Sequence, residues 1–411
     1  MRVKNYIEVQ NKIINIKIFY NLLFFFILGT SIHLNLNNDQ IKYGIIYDDI
    51  FYFVILNIVL IFISIKNIKK KKINFFFNNK VNIFILFIIS INFFFFNQDI
   101  NYLKLIIYYF PLLYVDELKE IFESISLNKI FVFLKISIFL IIGLIIFETI
   151  IYHLYDNTLE NFVFNFDTYN NLNIKKNSAS FNENLFIGGT TEIKTGFRAK
   201  IFLSNPIAVF INSSLITILL IHFKKINRVY VIFLNFIIGL ICKTRLIIII
   251  PFFFFGNVDK NILKKNYKKY ILYLLLILIS LFLIDYYIDF KKFGLKEVFN
   301  SRLTFYYQFL SQYSNNYFEL FIPRIDIVYI NVDNYYTGPH SDFLYLTNNF
   351  GIIFSLIFLF KIIYLLKKIG WLLMIILLIS FFNGMIFNGL FWITIYLIIT
   401  YENFNSYPNY K

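Results

Sequence analysis

Five residues of this chain combine reactive chemistry with an unusual placement: Arg198, Arg245, Arg302, Arg324 and His340. A guanidinium is planar and permanently charged, and it binds phosphate oxygens in bidentate fashion, which an ammonium cannot do. A neutral imidazole can take a proton from a hydroxyl. Lys243 stands two residues before Arg245, and Asp342 two residues after His340. Clustered cations of this kind, held at a membrane surface, fit a phosphate-bearing, lipid-linked substrate.

The local sequences support such a grouping. Arg198 closes Thr195-Gly196-Phe197-Arg198, with Ser204-Asn205-Pro206 two turns further on. The free N–H groups and partial positive charge of a helix N-terminus suit phosphate there. Arg302 lies in Phe299-Asn300-Ser301-Arg302-Leu303-Thr304-Phe305-Tyr306, near the start of a stretch with helical character over 297–312. Arg324 follows Pro323 and has Asp326 as a nearby ion-pair partner. Thr337-Gly338-Pro339 forms a turn that delivers His340 to the surface, and Ser341 or Asp342 can cap the helix that follows. The competing readings are structural: Arg198 as an interfacial side chain that snorkels to lipid phosphate, Arg302 as a residue of a solvated helix, Arg324 as an ion-pair partner of Asp326, and Arg245 as part of a turn on the cytoplasmic side.

Placement at a membrane follows from composition. Of 411 residues, 59% are hydrophobic, against roughly 45–50% in a soluble domain, and the mean hydropathy is +0.67. Apolar runs of about 17–25 residues recur, each long enough to cross roughly 30 Å of hydrocarbon. Phe, Tyr, Ile, Asn and Lys dominate, all with AT-rich codons. The phenylalanine runs are therefore read as mutational bias, which also favours Lys over Arg and makes each arginine more informative. The net charge of +15 does not indicate nucleic acid, because most lysines sit in short loops between apolar runs. That is the positive-inside pattern, helped by attraction to anionic lipid heads. The single cysteine, Cys242, excludes an internal disulfide and a Cys-based metal site. The N-terminus does not read as a cleaved signal peptide.

The lysine clusters thread about twelve spans, near 18–35, 50–65, 81–97, 101–115, 130–152, 199–222, 229–242, 246–256, 270–288, 344–366, 371–386 and 389–401. The expected fold is an all-α integral membrane protein forming a single polytopic domain, with both termini cytoplasmic. An acidic, amphipathic segment at 116–129 reads as an interfacial helix. Pro251 is expected to kink the short span at 246–256. External segments are expected at 153–198 and, the largest, at 289–343. In this threading four of the chain's six arginines emerge on the non-cytoplasmic face, against the positive-inside rule. No His/Cys/carboxylate cluster at ligand spacing, no Asp-x-Asp on an outer loop and no Walker-type loop appears, so no cofactor is expected. No sequence repeat supports an inverted-repeat transporter.

The layout from about 195 to 366 resembles the bacterial O-antigen polymerase and O-antigen ligase superfamily. The matching pieces are the Arg198 segment with Ser204-Asn205-Pro206, the Thr244-Arg245 turn opening a span, and Ser301-Arg302 in the large external segment. The fourth is His340-Ser341-Asp342-Phe343-Leu344 followed by Asn349-Phe350-Gly351-Ile352-Ile353. The sequence departs from the pattern in a shorter, less Gly-rich turn at Arg245 and in the short span after it. The resemblance implies a metal-independent, GT-C-like membrane glycosyltransferase of the inner membrane with a periplasmic active site. Arg198, Arg245 and Arg302 would hold the diphosphate of an undecaprenyl-linked glycan donor, with Lys243, Arg324 and Asp342 in secondary roles. His340 would activate or position the acceptor hydroxyl. The partners implied are lipid-linked donor and acceptor glycans, membrane lipids and, for a polymerase, a chain-length regulator. Polymerase is the favoured member, a ligase acting on lipid A–core is the alternative within the superfamily, and a flippase or exporter of lipid-linked sugars the alternative outside it.

Overall fold

The computed structural model describes residues 2–33, 49–68, 79–96, 100–155, 206–223, 226–242, 244–255, 306, 309–311, 313, 317–321, 330–332, 335–337 and 341–401. These residues are almost wholly helical, apart from one two-stranded antiparallel ribbon of β1 (Ile330–Val332) and β2 (Tyr335–Thr337). The α-helices are α1 (Arg2–His33), α2 (Asp49–Ile68), α3 (Lys80–Ile91), α4 (Ile100–Tyr109), α5 (Val115–Glu123) and α6 (Leu127–Tyr155). After these come α7 (Pro206–His222), α8 (Arg228–Ile241), α9 (Asp342–Phe350), α10 (Ile352–Leu366), α11 (Leu372–Phe382) and α12 (Gly389–Thr400). By length and composition, three helical stretches can cross a membrane: Asn15–His33, Asp49–Lys66 and Leu127–Leu154. Their apolar side chains remain largely on the outside, as with Phe62, Ile136 and Phe147, which suits lipid as the surrounding solvent.

The chain falls into two compact units, one of residues 1–137 with 386–411 and one of residues 138–385. In the first unit, α12 packs on α1, α4 and α5, and its residues from Gly389 to Ile398 are all buried. Helix α5 occupies the start of the expected interfacial segment. It buries Leu118, Ile121 and Phe122 and exposes Asp116, Glu120 and Glu123, which is amphipathic patterning at helical spacing. Polar anchors hold the turn before it: Asn79 Nδ2 donates to the Leu113 carbonyl (3.0 Å) and Asn82 Nδ2 to the Leu112 carbonyl (2.9 Å).

The centre of this unit is Asp49, the first residue of α2, which is 1% exposed. Ser31 Oγ on α1 donates to its Oδ2 (3.2 Å) and the Tyr108 hydroxyl on α4 donates to its Oδ1 (2.6 Å). Gly389, the first residue of α12, closes the cluster: a Cβ there would lie 2.0 Å from Asp49 Oδ2 and 2.8 Å from Ser31 Oγ. The carboxylate is thus enclosed by four helices and sits at the N-terminal end of α2, where the helix dipole favours negative charge.

In the second unit, α7 is the central helix, buried at every residue from Ala208 to Ile221, as a helix apolar on all sides should be. Pro206 opens it at the position where a missing N–H costs nothing. Its polar residues are satisfied inside the unit. Ser213 Oγ donates to Asn235 Oδ1 on α8, Asn235 Nδ2 donates to Ser214 Oγ (3.2 Å), and Thr217 Oγ1 donates to the Ser213 carbonyl (2.8 Å). Gly239 lets α8 approach closely, since a Cβ there would lie 2.8 Å from the Phe210 ring.

Two features correct the sequence reading. The segment after Thr244, expected as a short kinked span, is an 11-residue 3-10 helix, Arg245–Phe255. A proline has no N–H to donate to an α ladder, and in an α-helix its ring would crowd the carbonyl four residues back. The tighter helix rises faster, so the segment reaches about 22 Å rather than about 16 Å as an α-helix. The continuous span expected at 344–366 is divided at Gly351, whose φ of 83° only glycine adopts readily, into a short polar α9 and an apolar α10.

Replacing Gly389 with Ala separates two opposing effects. Helix propensity alone favours Ala, but the added methyl overlaps the Asp49 carboxylate. Sterics should prevail, with a loss of about 2 kcal/mol or more. A lower melting temperature of the detergent-solubilised protein, followed by the fluorescence of buried Trp392, would show it.

Candidate functional site

Of the candidate residues, Asp342 is described in full and Arg245 by its backbone. Arg198, Lys243, Arg302, Arg324 and His340 lie outside the described residues. Tyr306 and Ser341, the described residues that follow Arg302 and His340, show what the chain beyond each is attached to.

Ser341 and Asp342 open α9. Ser341 is the N-cap: its backbone is extended and its Oγ accepts from the Leu344 N–H (3.3 Å). The same Oγ lies 2.7 Å from the Tyr306 hydroxyl. That hydroxyl also donates to the Phe381 carbonyl at the end of α11 (3.1 Å), and the Tyr306 ring stacks on Phe381 at 4.4 Å and 12°. Asp342 is 3% exposed. Its Oδ2 accepts from Ser380 Oγ (2.6 Å), and the Met385 N–H lies 2.8 Å from Oδ1 and 2.9 Å from Oδ2. Gly384 allows this approach, with its missing Cβ site 3.4 Å from Asp342 Oδ1.

Three segments far apart in sequence therefore converge: the one carrying Tyr306, the start of α9, and the turn after α11. Phe309, Tyr313 and Leu344 form the apolar floor beneath them, and the Tyr313 hydroxyl donates to Asn348 Oδ1 (3.4 Å). The sequence gives Asp342 a secondary role or a capping role at the start of α9, neither of which the structure excludes. Its oxygens hold the turn after α11, so it acts here through the position of the chain. Tyr306 and Ser380 had no assigned role in the sequence reading. The one available signal was the spacing of Tyr306 from Arg302, which is one helical turn.

Thr244 is buried and caps the 3-10 helix, its Oγ1 accepting from the Leu246 N–H (3.3 Å) while its own N–H bonds the Gly239 carbonyl (3.2 Å). Arg245 is consequently the first residue of a helix held by its neighbour's side chain. This 3-10 helix packs on α7, α8 and α11. Among the described residues no group of three or more His, Cys, Asp or Glu is placed to hold a metal ion.

No protein-family model, curated protein or solved structure matches this chain. Its chemistry is consequently argued from its own residues.

The Asp342 cluster makes a graded prediction. Asp342→Ala strands the Met385 N–H and the Ser380 hydroxyl, at a cost of about 2–3 kcal/mol. Asp342→Asn keeps one acceptor oxygen and should cost about 1 kcal/mol. Thermal denaturation of the two variants should preserve that order; equal melting temperatures would contradict the clamp.

Proposed function

We propose that the chain is a membrane glycosyltransferase of the O-antigen polymerase type, joining undecaprenyl-diphosphate-linked repeat units at the periplasmic face of the inner membrane. It crosses the membrane about twelve times in a GT-C-like arrangement, with both termini cytoplasmic. Arg198, Arg245 and Arg302 hold the donor diphosphate, with Lys243 and Arg324 adding positive charge. His340 takes the proton of the acceptor hydroxyl as that oxygen attacks the anomeric carbon. The bond to the diphosphate breaks, and its electron pair leaves with the lipid carrier. Negative charge grows on the departing diphosphate, where preorganised cations lower the barrier. No step of this reading requires a metal ion.

The observation that carries the reading is the bond between the Tyr306 hydroxyl and Ser341 Oγ. His340 is covalently joined to Ser341, with Cα atoms about 3.8 Å apart, and four residues of chain from Tyr306 to Arg302 reach at most about 14 Å. The bond therefore tethers the arginine-bearing and histidine-bearing segments to one point. The Asp342 clamp then fixes that point against the end of α11.

The test is genetic. In cells lacking the gene, wild type, Arg198→Ala, Arg302→Ala and His340→Ala are expressed at matched membrane levels, and the surface glycan is displayed as a gel ladder. The deletion should leave glycans capped with a single repeat unit. Each variant should resemble it, with polymer reduced about a hundredfold or more. Long polymer accumulating on the lipid carrier, with none on lipid A–core, would identify a ligase instead. A normal ladder in every variant would make the arginines interfacial anchors.

A further inference from the structure

Two lysines of the second unit converge on one tyrosine. On α10, Lys361 Nζ lies 5.9 Å from the centroid of the Tyr364 ring, and Lys367 Nζ lies 4.1 Å from the same centroid. The geometry follows from helix spacing. Tyr364 stands one turn from Lys361 and one turn from Lys367, the spacing at which helical side chains meet. A helical side chain leans over the turn before it, which brings the Tyr364 ring towards Lys361. Lys367 begins the short 3-10 turn Lys367–Ile369, which ends at Gly370 with φ 59°. Among the described residues, neither ammonium group has a carboxylate partner.

The surroundings are apolar and exposed. Phe360 is 66% exposed, Tyr364 61% and Trp371 57%. Lys361 stands five residues before the last residue of a largely apolar helix, where a bare charge is costly unless it finds a partner. Two like charges on one ring repel each other, and the ring's π face compensates only part of their lost hydration. An anion within reach of both ammonium groups would add to the compensation the ring supplies. Aromatic residues that flank such a pair at a helix end are of the type that settles at the headgroup level of a bilayer.

We infer that Lys361, Lys367 and Tyr364 form a binding site for the phosphate of an anionic phospholipid, with Phe360 and Trp371 against its glycerol and upper acyl chains. The site stands independently of the proposed glycosyl transfer and requires only that α10 meet a bilayer. Its ligand is a structural lipid of the leaflet at the Lys367 end, held by paired cations and an aromatic face.

Native mass spectrometry of the full-length, detergent-purified protein tests this, with phosphatidylglycerol or phosphatidylcholine of identical acyl chains added as probe. Wild type should retain phosphatidylglycerol about thirtyfold better than phosphatidylcholine. The Lys361→Gln/Lys367→Gln variant should lose that preference, and Lys361→Arg/Lys367→Arg should keep it. Lys119→Gln/Lys129→Gln, which removes equal charge elsewhere, should also keep it. Equal retention of the two lipids by wild type, or an unchanged preference in the Lys361→Gln/Lys367→Gln variant, would overturn the site. Displacement of the lipid by millimolar inorganic phosphate would assign the lysines to a soluble anion and overturn the lipid reading.

Discussion

A bilayer interior contains no water, so every polar group that helices carry into it must find its partner within the protein. Three clusters among the described residues meet that demand. Asp49 is satisfied by Ser31 and Tyr108 beside a glycine that leaves room for it. Ser213, Ser214 and Asn235 satisfy one another across α7 and α8. Asp342 is satisfied by Ser380 and the Met385 N–H. Apolar helices slide easily over one another in lipid, because side chains gain little from burial when the solvent is itself apolar. Directional polar contacts of this kind fix which helices meet and at what height.

The third of these clusters joins three segments far apart in the chain. Asp342 and Tyr306 do not need to touch a substrate to matter. They determine where the chain leaves α9 on one side and where the segment preceding Tyr306 arrives on the other. Joining Tyr306 to Ser341 closes a loop, and the entropy of that closure is met before any ligand arrives. A preorganised site needs that prior closure. The division of α9 from α10 at Gly351 serves the same end. It frees a short polar helix from the orientation of the apolar one, so α9 can keep Thr347, Asn348 and Asn349 buried within the unit while α10 presents Phe360 and Tyr364 outward.

Hydropathy made the helical elements legible. The apolar runs near 18–35, 50–65 and 130–152 correspond to the three helices long enough to span a membrane, and the acidic stretch at 116–129 contains an amphipathic helix. Local signals also served well where the physics is local, as with Ser341 capping α9. The 3-10 form of 245–255 was not legible, because apolar periodicity cannot distinguish helix types and Pro251 signals only that an α ladder is disturbed. Gly351 stands in Asn349-Phe350-Gly351-Ile352-Ile353, yet nothing in its sequence neighbourhood signals that its backbone breaks the helix with a positive φ. The clusters were out of reach for a different reason. Tyr306 meets the Phe381 carbonyl across 75 positions, Asp342 meets Met385 across 43, and Asp49 meets Tyr108 across 59. No periodicity encodes such pairings. The arginines and His340 are singled out for their chemistry and their expected side of the membrane, whereas Tyr306 and Ser380, which meet Ser341 and Asp342, emerge only with the fold.

The central claim is that the Arg302–His340 region faces away from the cytoplasm, so sidedness is the property to measure. Cys242 is the chain's one cysteine and is buried, so Cys242→Ser provides a thiol-free background. Ser301→Cys and Asn227→Cys are introduced separately into it, and intact spheroplasts are treated with a membrane-impermeant maleimide. Ser301→Cys should label without permeabilisation, and Asn227→Cys only after it. Labelling of Ser301→Cys only in lysed cells would place the arginines and the histidine on the cytoplasmic side, contradicting the account.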